Sequence, residues 1–203
     1  PEAMKLYHFP VAPNPSRVRI FAIEKNMPVE LVQVSLAEGE HKSPEHLARN
    51  PRAALPVLEL DDGTYLTESV PIMEYLEECF PEPPMHGTSP IERARIRELE
   101  RLAEVKVLNP TARLVHASNS PLGLPPNETL ASVERERLPQ GYALMDERLA
   151  KHPFVAGDQV TVADCTLCAG LFFGEFFGVS VPDEYANLLR WYSDFKSRPS
   201  AQI

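Results

Sequence analysis

Two hydrophobic periods divide this chain. As far as Cys79, short β-rich runs alternate with stretches of helical spacing; beyond the prolines that follow, only helical spacing remains. Lys5 to Phe9 reads as a strand, closed by the loop Pro10-Val11-Ala12-Pro13-Asn14-Pro15. Val18, Phe21, Ala22 and Lys25 have helical spacing until Asn26 stops it, and Val29, Leu31, Val32 and Val34 mark a second strand. Strand, helix and strand in so short a span form a βαβ unit with parallel strands. After a loop from Gly39 to Lys42, Ser43 caps a short helix with Pro44 at its first position, and Asn50-Pro51 ends it. Val57, Leu58 and Leu60, then Asp62-Gly63, then Tyr65 and Leu66 spell a β-hairpin. Pro71 opens one more helix, with Ile72, Tyr75 and Leu76 on its buried face. The order is β-α-β-α-β-β-α, a mixed sheet covered by helices.

The run Phe80-Pro81-Glu82-Pro83-Pro84-Met85-His86-Gly87 is the clearest boundary, because its prolines block helix. Ile96, Leu99, Ala103 and Val107 then recur at gaps of three and four, up to Asn109-Pro110. Leu138, Tyr142, Met145 and Leu149 do the same after a polar, Pro-rich loop from Ser118 to Asn127. Thr161-Val162-Ala163-Asp164 has the spacing of a capping box, with Asp in place of the usual Glu. The helix it opens, through Phe177, is apolar almost all round, as the central helix of a bundle would be. Tyr185, Leu188, Tyr192 and Phe195 mark a last helix, closed by Pro199. The expected organisation is an α/β domain over 4–81, a linker over 82–89 and an all-helical bundle over 90–203.

Composition narrows the partners. A formal net charge of −9 with no dense Lys/Arg run argues against nucleic acid and anionic membranes. No uninterrupted apolar run is long enough to span a bilayer. Pro1-Glu2-Ala3 ahead of Met4 reads as a cloning remnant, with no signal peptide after it. The three cysteines, Cys79, Cys165 and Cys168, fit a reducing compartment, so a cytoplasmic location is expected. Cys165-x-x-Cys168 lies inside the apolar helix and reads as packing rather than redox chemistry; Cys79 is expected to be buried near a helix end. No His/Cys/Asp cluster has metal spacing and no Gly-rich phosphate loop is present, so no metal is expected.

The candidate chemistry sits at the two ends of the hairpin. Pro56 stands where the first strand begins and has no N–H for the ladder. Glu68-Ser69 stands at its exit, where a helix starts. Free N–H groups and a Ser hydroxyl there suit a carboxylate, and the adjacent acid suits the ammonium of the same ligand. Together they would grip an α-amino acid head group. Each also has a plainer reading, Pro56 as an edge-strand proline and Glu68-Ser69 as an exposed acid and a helix cap.

An α/β domain, a proline linker and a helical domain together resemble a cytosolic glutathione transferase, and the local matches span nearly the whole chain from Met4. They are Asn50-Pro51-Arg52-Ala53-Ala54-Leu55-Pro56-Val57-Leu58, Thr67-Glu68-Ser69 with Ile72 and Tyr75-Leu76, Phe154-Val155-Ala156-Gly157-Asp158 running into Thr161 to Asp164, and Leu189-Arg190-Trp191-Tyr192 with Arg198-Pro199. The likeness is to theta-like or zeta-like microbial transferases, including a subgroup without a catalytic Tyr. It implies a thioredoxin-like first domain and a homodimer. It implies glutathione as cosubstrate with no further cofactor, transferred to a small, largely apolar electrophile. The alternatives on the same fold are a glutathione-dependent isomerase or peroxidase, and a binding module with little turnover.

By the same resemblance, Pro56 is cis and Leu55 offers its backbone to the cysteinyl part of glutathione. Glu68 and Ser69 hold the γ-glutamyl head, and His41 with Lys42 faces the glycyl carboxylate. Ala53 and Ala54 depart from the Gly and the polar or basic residue common there, so a side-chain contact is missing. Catalysis needs the bound thiol ionised. The family's Tyr position falls at His8, and its Ser and Cys positions fall within Ala12 to Ser16. Asn14 ranks first as the group activating the thiol, then Ser16, then His116 with Ser118 holding a water. Asn14 also reads as a turn residue, Ser16 as a cap, His41 as a solvated side chain and His116 as bundle packing.

Overall fold

Four strands form one mixed sheet in the order β2-β1-β3-β4. The computed structural model describes residues 4–202, so Pro1-Glu2-Ala3 lies outside the described residues. The strands are β1 (Met4–His8), β2 (Val29–Gln33), β3 (Val57–Glu59) and β4 (Tyr65–Thr67). β1 runs parallel to β2 and antiparallel to β3, and β3 runs antiparallel to β4. The βαβ unit and the hairpin of the sequence reading are both present. Three helices belong to this part: α1 (Pro13–Glu24), α2 (Pro44–Arg49) and α3 (Ser69–Cys79). β1 sends alternate residues to opposite faces. Leu6 enters the main core, while Tyr7 joins Val57 and Val34 in a small separate cluster.

The helical part comprises α4 (Pro90–Ala103), α5 (Asn109–Ser118), α6 (Glu128–Lys151), α7 (Val162–Phe176) and α8 (Ala186–Lys196). α7 is buried at most of its positions, as its all-round apolar character predicts. The main core is continuous across both parts. It runs from Leu6 and Leu58 of the sheet through Val18 and Phe21 of α1 to Leu167 of α7 and Trp191 of α8. Each large side chain fully withdrawn from water there contributes about 1.5–3 kcal/mol. The linker is pinned to this body. The Glu77 carboxylate accepts the backbone N–H groups of Met85 at 2.8 Å and His86 at 2.6 Å. It also pairs with the buried Lys25, whose ammonium donates to the Pro83 carbonyl at 2.7 Å. Burial works against ionising Glu77, but its partners outweigh that and hold its carboxyl down at about 2.

Several boundaries differ from the sequence reading. α1 starts at Pro13, inside the expected loop, because Pro is tolerated in a first helical turn. α3 starts at Ser69, with Pro71 accommodated in its first turn for the same reason. The helix expected to end at Asn109-Pro110 continues. A π-helical turn over Glu104–Leu108 carries α4 into α5, with the Asn109 N–H bonded to the Glu104 carbonyl. α6 presses against that turn, and a Cβ on Gly141 would lie 2.2 Å from the Lys106 carbonyl oxygen. Only glycine fits there. Tyr75 sits at the edge of the α3 stripe and is 36% exposed. Cys79, expected to be buried, is exposed as the last residue of α3.

Candidate functional site

The segment before Pro56 is held by side chains of α2 and the turn after it. The Ala54 carbonyl accepts hydrogen bonds from His46 Nε2 at 3.0 Å and Asn50 Nδ2 at 3.2 Å. Asn50 Oδ1 in turn accepts the Arg52 N–H at 3.1 Å. Ala53 has φ 54° and the Leu55–Pro56 peptide bond is cis. Beyond the hairpin, Glu68 has φ 74° and ψ 128°, in left-handed space that a residue with a Cβ rarely occupies. Such strain costs on the order of 1–3 kcal/mol and clusters at ligand clamps. No side chain caps α3, so its first N–H groups and the buried Ser69 face an open crevice of about 310 Å³. Leu55, Pro56, Glu68, Ser69, Asn14 and, from the helical part, Glu104 and Asn109 stand around it.

A second space adjoins the first. It has a volume of about 220 Å³ and is walled chiefly by Phe9, Val11, Pro13, Leu36, Phe173 and Phe177. His116 and Asn14 are its main polar side chains, and no Lys or Arg lines it. Asn14 and Leu55 belong to both spaces. The polar crevice and the apolar cavity therefore meet at one seam, between the start of α1 and the cis-proline edge.

The candidate thiol-activating residues separate on this map. Asn14 is exposed at the seam, in the first turn of α1. Ser16 is buried, and its hydroxyl is spent on the Pro10 carbonyl at 2.9 Å. His116 faces the apolar cavity, with Nδ1 2.8 Å from the hydroxyl of Ser120. Burial pushes its pKa down, which favours the neutral ring. Ser118 is exposed at the end of α5 and stands outside both spaces; the hydroxyl beside His116 is that of Ser120. His8 is buried, with its pKa lowered to about 4 by burial and then by Arg19. The Tyr7 hydroxyl is turned to Glu59 at 2.5 Å and raised to about 12 by burial and that acid. Neither first-strand residue lines the seam.

Glu68 and Ser69 both stand at the crevice, and Arg52 Nη2 approaches Glu68 at 3.7 Å. His41 and Lys42 lie on a 3-10 turn over Glu40–Lys42, outside the residues around the crevice, with His41 buried and Lys42 exposed. Burial, then Lys42 and His46, lowers the His41 pKa. Arg17, Glu104, Asn109 and Ser120 escaped the sequence reading. The spacing of Asn14 and Arg17 on one helix was the available sign for Arg17; nothing local marks the others. Cys165 and Cys168 are buried free thiols with pKa values pushed up by burial, the second to about 12, so neither is poised for redox chemistry. Among the described residues no group of His, Cys, Asp or Glu is arranged to hold a metal, and no helix is long and apolar enough to cross a membrane.

Comparison with known proteins gives the family. Residues 6–84 match the family model for the glutathione S-transferase N-terminal domain, and residues 110–199 match that for the C-terminal domain. Glutathione S-transferase 2 of Saccharomyces cerevisiae is 37% identical, over 99% of this chain and 89% of that protein. A maleylacetoacetate isomerase of Pseudomonas aeruginosa is 30% identical, over 88% of this chain and 84% of that protein. The crystal structure of a glutathione S-transferase domain-containing protein from Marinobacter aquaeolei superposes with a TM-score of 0.89 at 38% identity, covering 98% of this chain and 100% of that one. The chain belongs to the glutathione S-transferase family.

Proposed function

We propose that this enzyme ionises glutathione in the polar crevice and transfers it to a small, neutral, apolar electrophile in the adjoining cavity. The observation that carries the reading is the seam. Asn14 and Leu55 border both spaces, so a cysteinyl residue docked on the Leu55 backbone delivers its sulfur where Asn14 and the apolar walls meet. The γ-glutamyl carboxylate takes the start of α3 with Ser69, where unpaired N–H groups and the helix dipole favour an anion. Glu68 receives the ammonium. The glycyl end passes Ala54 toward His46, His41 and Lys42. The domains are those of the sequence reading, 4–81 and 90–203, joined by 82–89.

A free thiol has a pKa near ~8.5, and each unit of lowering needs about 1.4 kcal/mol of preference for the thiolate. One hydrogen bond to a charged acceptor contributes about 1.5–3 kcal/mol, which is enough. The Asn14 amide supplies it, so the proton leaves to solvent and the thiolate attacks. A sulfur–carbon bond forms at the electrophilic carbon, and either a leaving group departs with the bonding pair or the adduct takes up a proton. His116, neutral and backed by Ser120, borders the cavity where charge develops on the electrophile. The cavity is smaller than the ~300–1,000 Å³ typical of pockets for drug-sized ligands, which sets the size of the cosubstrate. Its lack of cationic side chains disfavours dicarboxylate substrates, and with them an isomerase of that kind. The reading includes a cytoplasmic homodimer of the theta-like or zeta-like kind without a catalytic Tyr, in which no metal or further cofactor takes part. A crystal soaked with glutathione tests it: the sulfur is expected within hydrogen-bond reach of Asn14 Nδ2. Failure of the tripeptide to occupy the Leu55 edge overturns the reading.

A further inference from the structure

Arg17 is almost wholly buried, at 1% exposed, in the helix whose first turn carries Asn14. Every nitrogen of its guanidinium has a partner. Nη1 donates to Asn14 Oδ1 at 3.2 Å, and Nε donates to Thr166 Oγ1 at 3.1 Å. Nη2 donates to Glu104 Oε2 at 2.5 Å and is also paired with Glu100. Thr166 closes the cluster by donating to Glu100 Oε1 at 3.0 Å. Glu100, Glu104 and Thr166 all belong to the helical part, on α4, the π-helical turn and α7. One side chain of α1 is thus fixed from across the domain junction.

The chemistry of that contact decides which way Asn14 faces. An amide can turn over and exchange its oxygen for its nitrogen, and the two are hard to tell apart by shape. A guanidinium has only donors, so the atom of Asn14 opposite Arg17 must be the oxygen. The NH₂ group is then the free end, at the seam that Asn14 shares with both spaces. A thiolate accepts hydrogen bonds and donates none, so this orientation is the one that stabilises it. We infer that Arg17 is a positioning residue for thiol activation: it locks the Asn14 amide with Nδ2 toward the sulfur, and the helical part sets that lock through Glu100, Glu104 and Thr166. The inference rests on the reading of Asn14 as the thiol's donor.

The test measures the pKa of enzyme-bound glutathione from its ultraviolet thiolate absorbance, together with the affinity for glutathione, in the full chain. Arg17→Lys keeps a charge beside the two glutamates. A compact ammonium cannot reproduce the fork that reaches Asn14, Thr166 and the glutamates at once. Its thiol pKa is expected to rise by about half a unit to one unit, a three- to tenfold fall in thiolate near neutral pH, with glutathione affinity changed less than twofold. Asn14→Asp leaves the buried cluster intact. It puts a carboxylate oxygen where the amide nitrogen faced the sulfur, and should raise the pKa at least as much. Asn14→Ala should raise it too, and adding Arg17→Lys to Asn14→Ala should move it no further. Additive shifts, or an unchanged pKa in Arg17→Lys while Asn14→Ala moves it, overturn the role of Arg17. No shift in Asn14→Ala overturns the reading of Asn14 itself.

Discussion

The starts of α3 and α7 are built in opposite ways. At α7 the capping box is complete: the Thr161 hydroxyl accepts the Ala163 N–H at 3.3 Å, and Asp164 Oδ2 accepts the Thr161 N–H at 3.0 Å. Asp164 Oδ1 also takes the Val155 N–H at 3.0 Å and Trp191 Nε1 at 3.1 Å, so the start is closed and dry. At α3 no side chain caps the helix, its preceding residue is strained, and the first turn opens on the crevice. The other helices that begin from a loop follow the rule. Ser43, Ser89 and Asn127 cap α2, α4 and α6, and Asp146 accepts the first N–H groups of α8. The remaining exception is α1, which begins without a side-chain cap at Ala12 and carries Asn14. A helix start left unsatisfied costs stability. Among the described residues α3 leaves its first N–H groups so, while in α1 Pro13 and Pro15 have no N–H to satisfy; both starts border the same site. On the proposed reading, closed starts serve the fold and open starts serve a ligand.

The closed start should show the largest effect on stability. Asp164→Ala strands the buried donors of Val155, Thr161 and Trp191, each worth ~1–3 kcal/mol when orphaned, so a loss of about 3–5 kcal/mol is expected in urea unfolding. Glutathione affinity of the folded fraction should stay within twofold. Burial lifts the Asp164 carboxyl to about 6, against ~3.9 in an unfolded chain. Between about pH 4 and 6 the folded protein therefore holds a proton that the unfolded one releases. This contribution to stability is full below about pH 4 and is lost as pH rises through about 6. The variant should lack that slope. A penalty under about 1 kcal/mol would remove the contrast on which the comparison rests.

At the open start the effect should move from folding to binding. Ser69→Ala removes the hydroxyl that the proposed reading sets beside the γ-glutamyl carboxylate, a contact worth about 1.5–3 kcal/mol. Glutathione should bind ~10- to 150-fold more weakly by calorimetry, while the urea midpoint changes little. If affinity holds and stability falls instead, Ser69 is an ordinary cap and α3 belongs with α7.

Local pattern carried the elements and the two ends of the hairpin. The capping box was readable because its residues lie within one turn, and the Glu68-Ser69 pair because an acid and a hydroxyl precede a helical spacing. The site's other half was not readable for the opposite reason. Glu104 and Asn109 stand at the crevice at the two ends of a π-helical turn that local periodicity does not announce, just where periodicity and Pro110 together signalled an end. Arg17 meets residues 83 and 149 positions away. Ser120 supplies the hydroxyl beside His116 because the chain leaves the helix after Ser118 and folds back. The exposure of Cys79 and Tyr75 likewise depends on where the core ends, which an apolar stripe does not state.

The smallest effect separates strain from ligand contact at a single residue. Glu68 sits at φ 74°, where a glycine pays no steric penalty. Its own side chain is largely exposed and its pairing with Arg52 at 3.7 Å is a surface contact worth little. Glu68→Gly should therefore relieve the native backbone while adding freedom to the unfolded chain, leaving a net gain of up to about 1 kcal/mol. The same change deletes the acid proposed to receive the γ-glutamyl ammonium, so on that reading glutathione affinity should fall. Stability and affinity would then move in opposite directions at one position, which is the signature of strain kept for binding. A variant that loses both would mean that Glu68 holds the turn itself, and that the open start of α3 is maintained by its side chain rather than tolerated for a ligand.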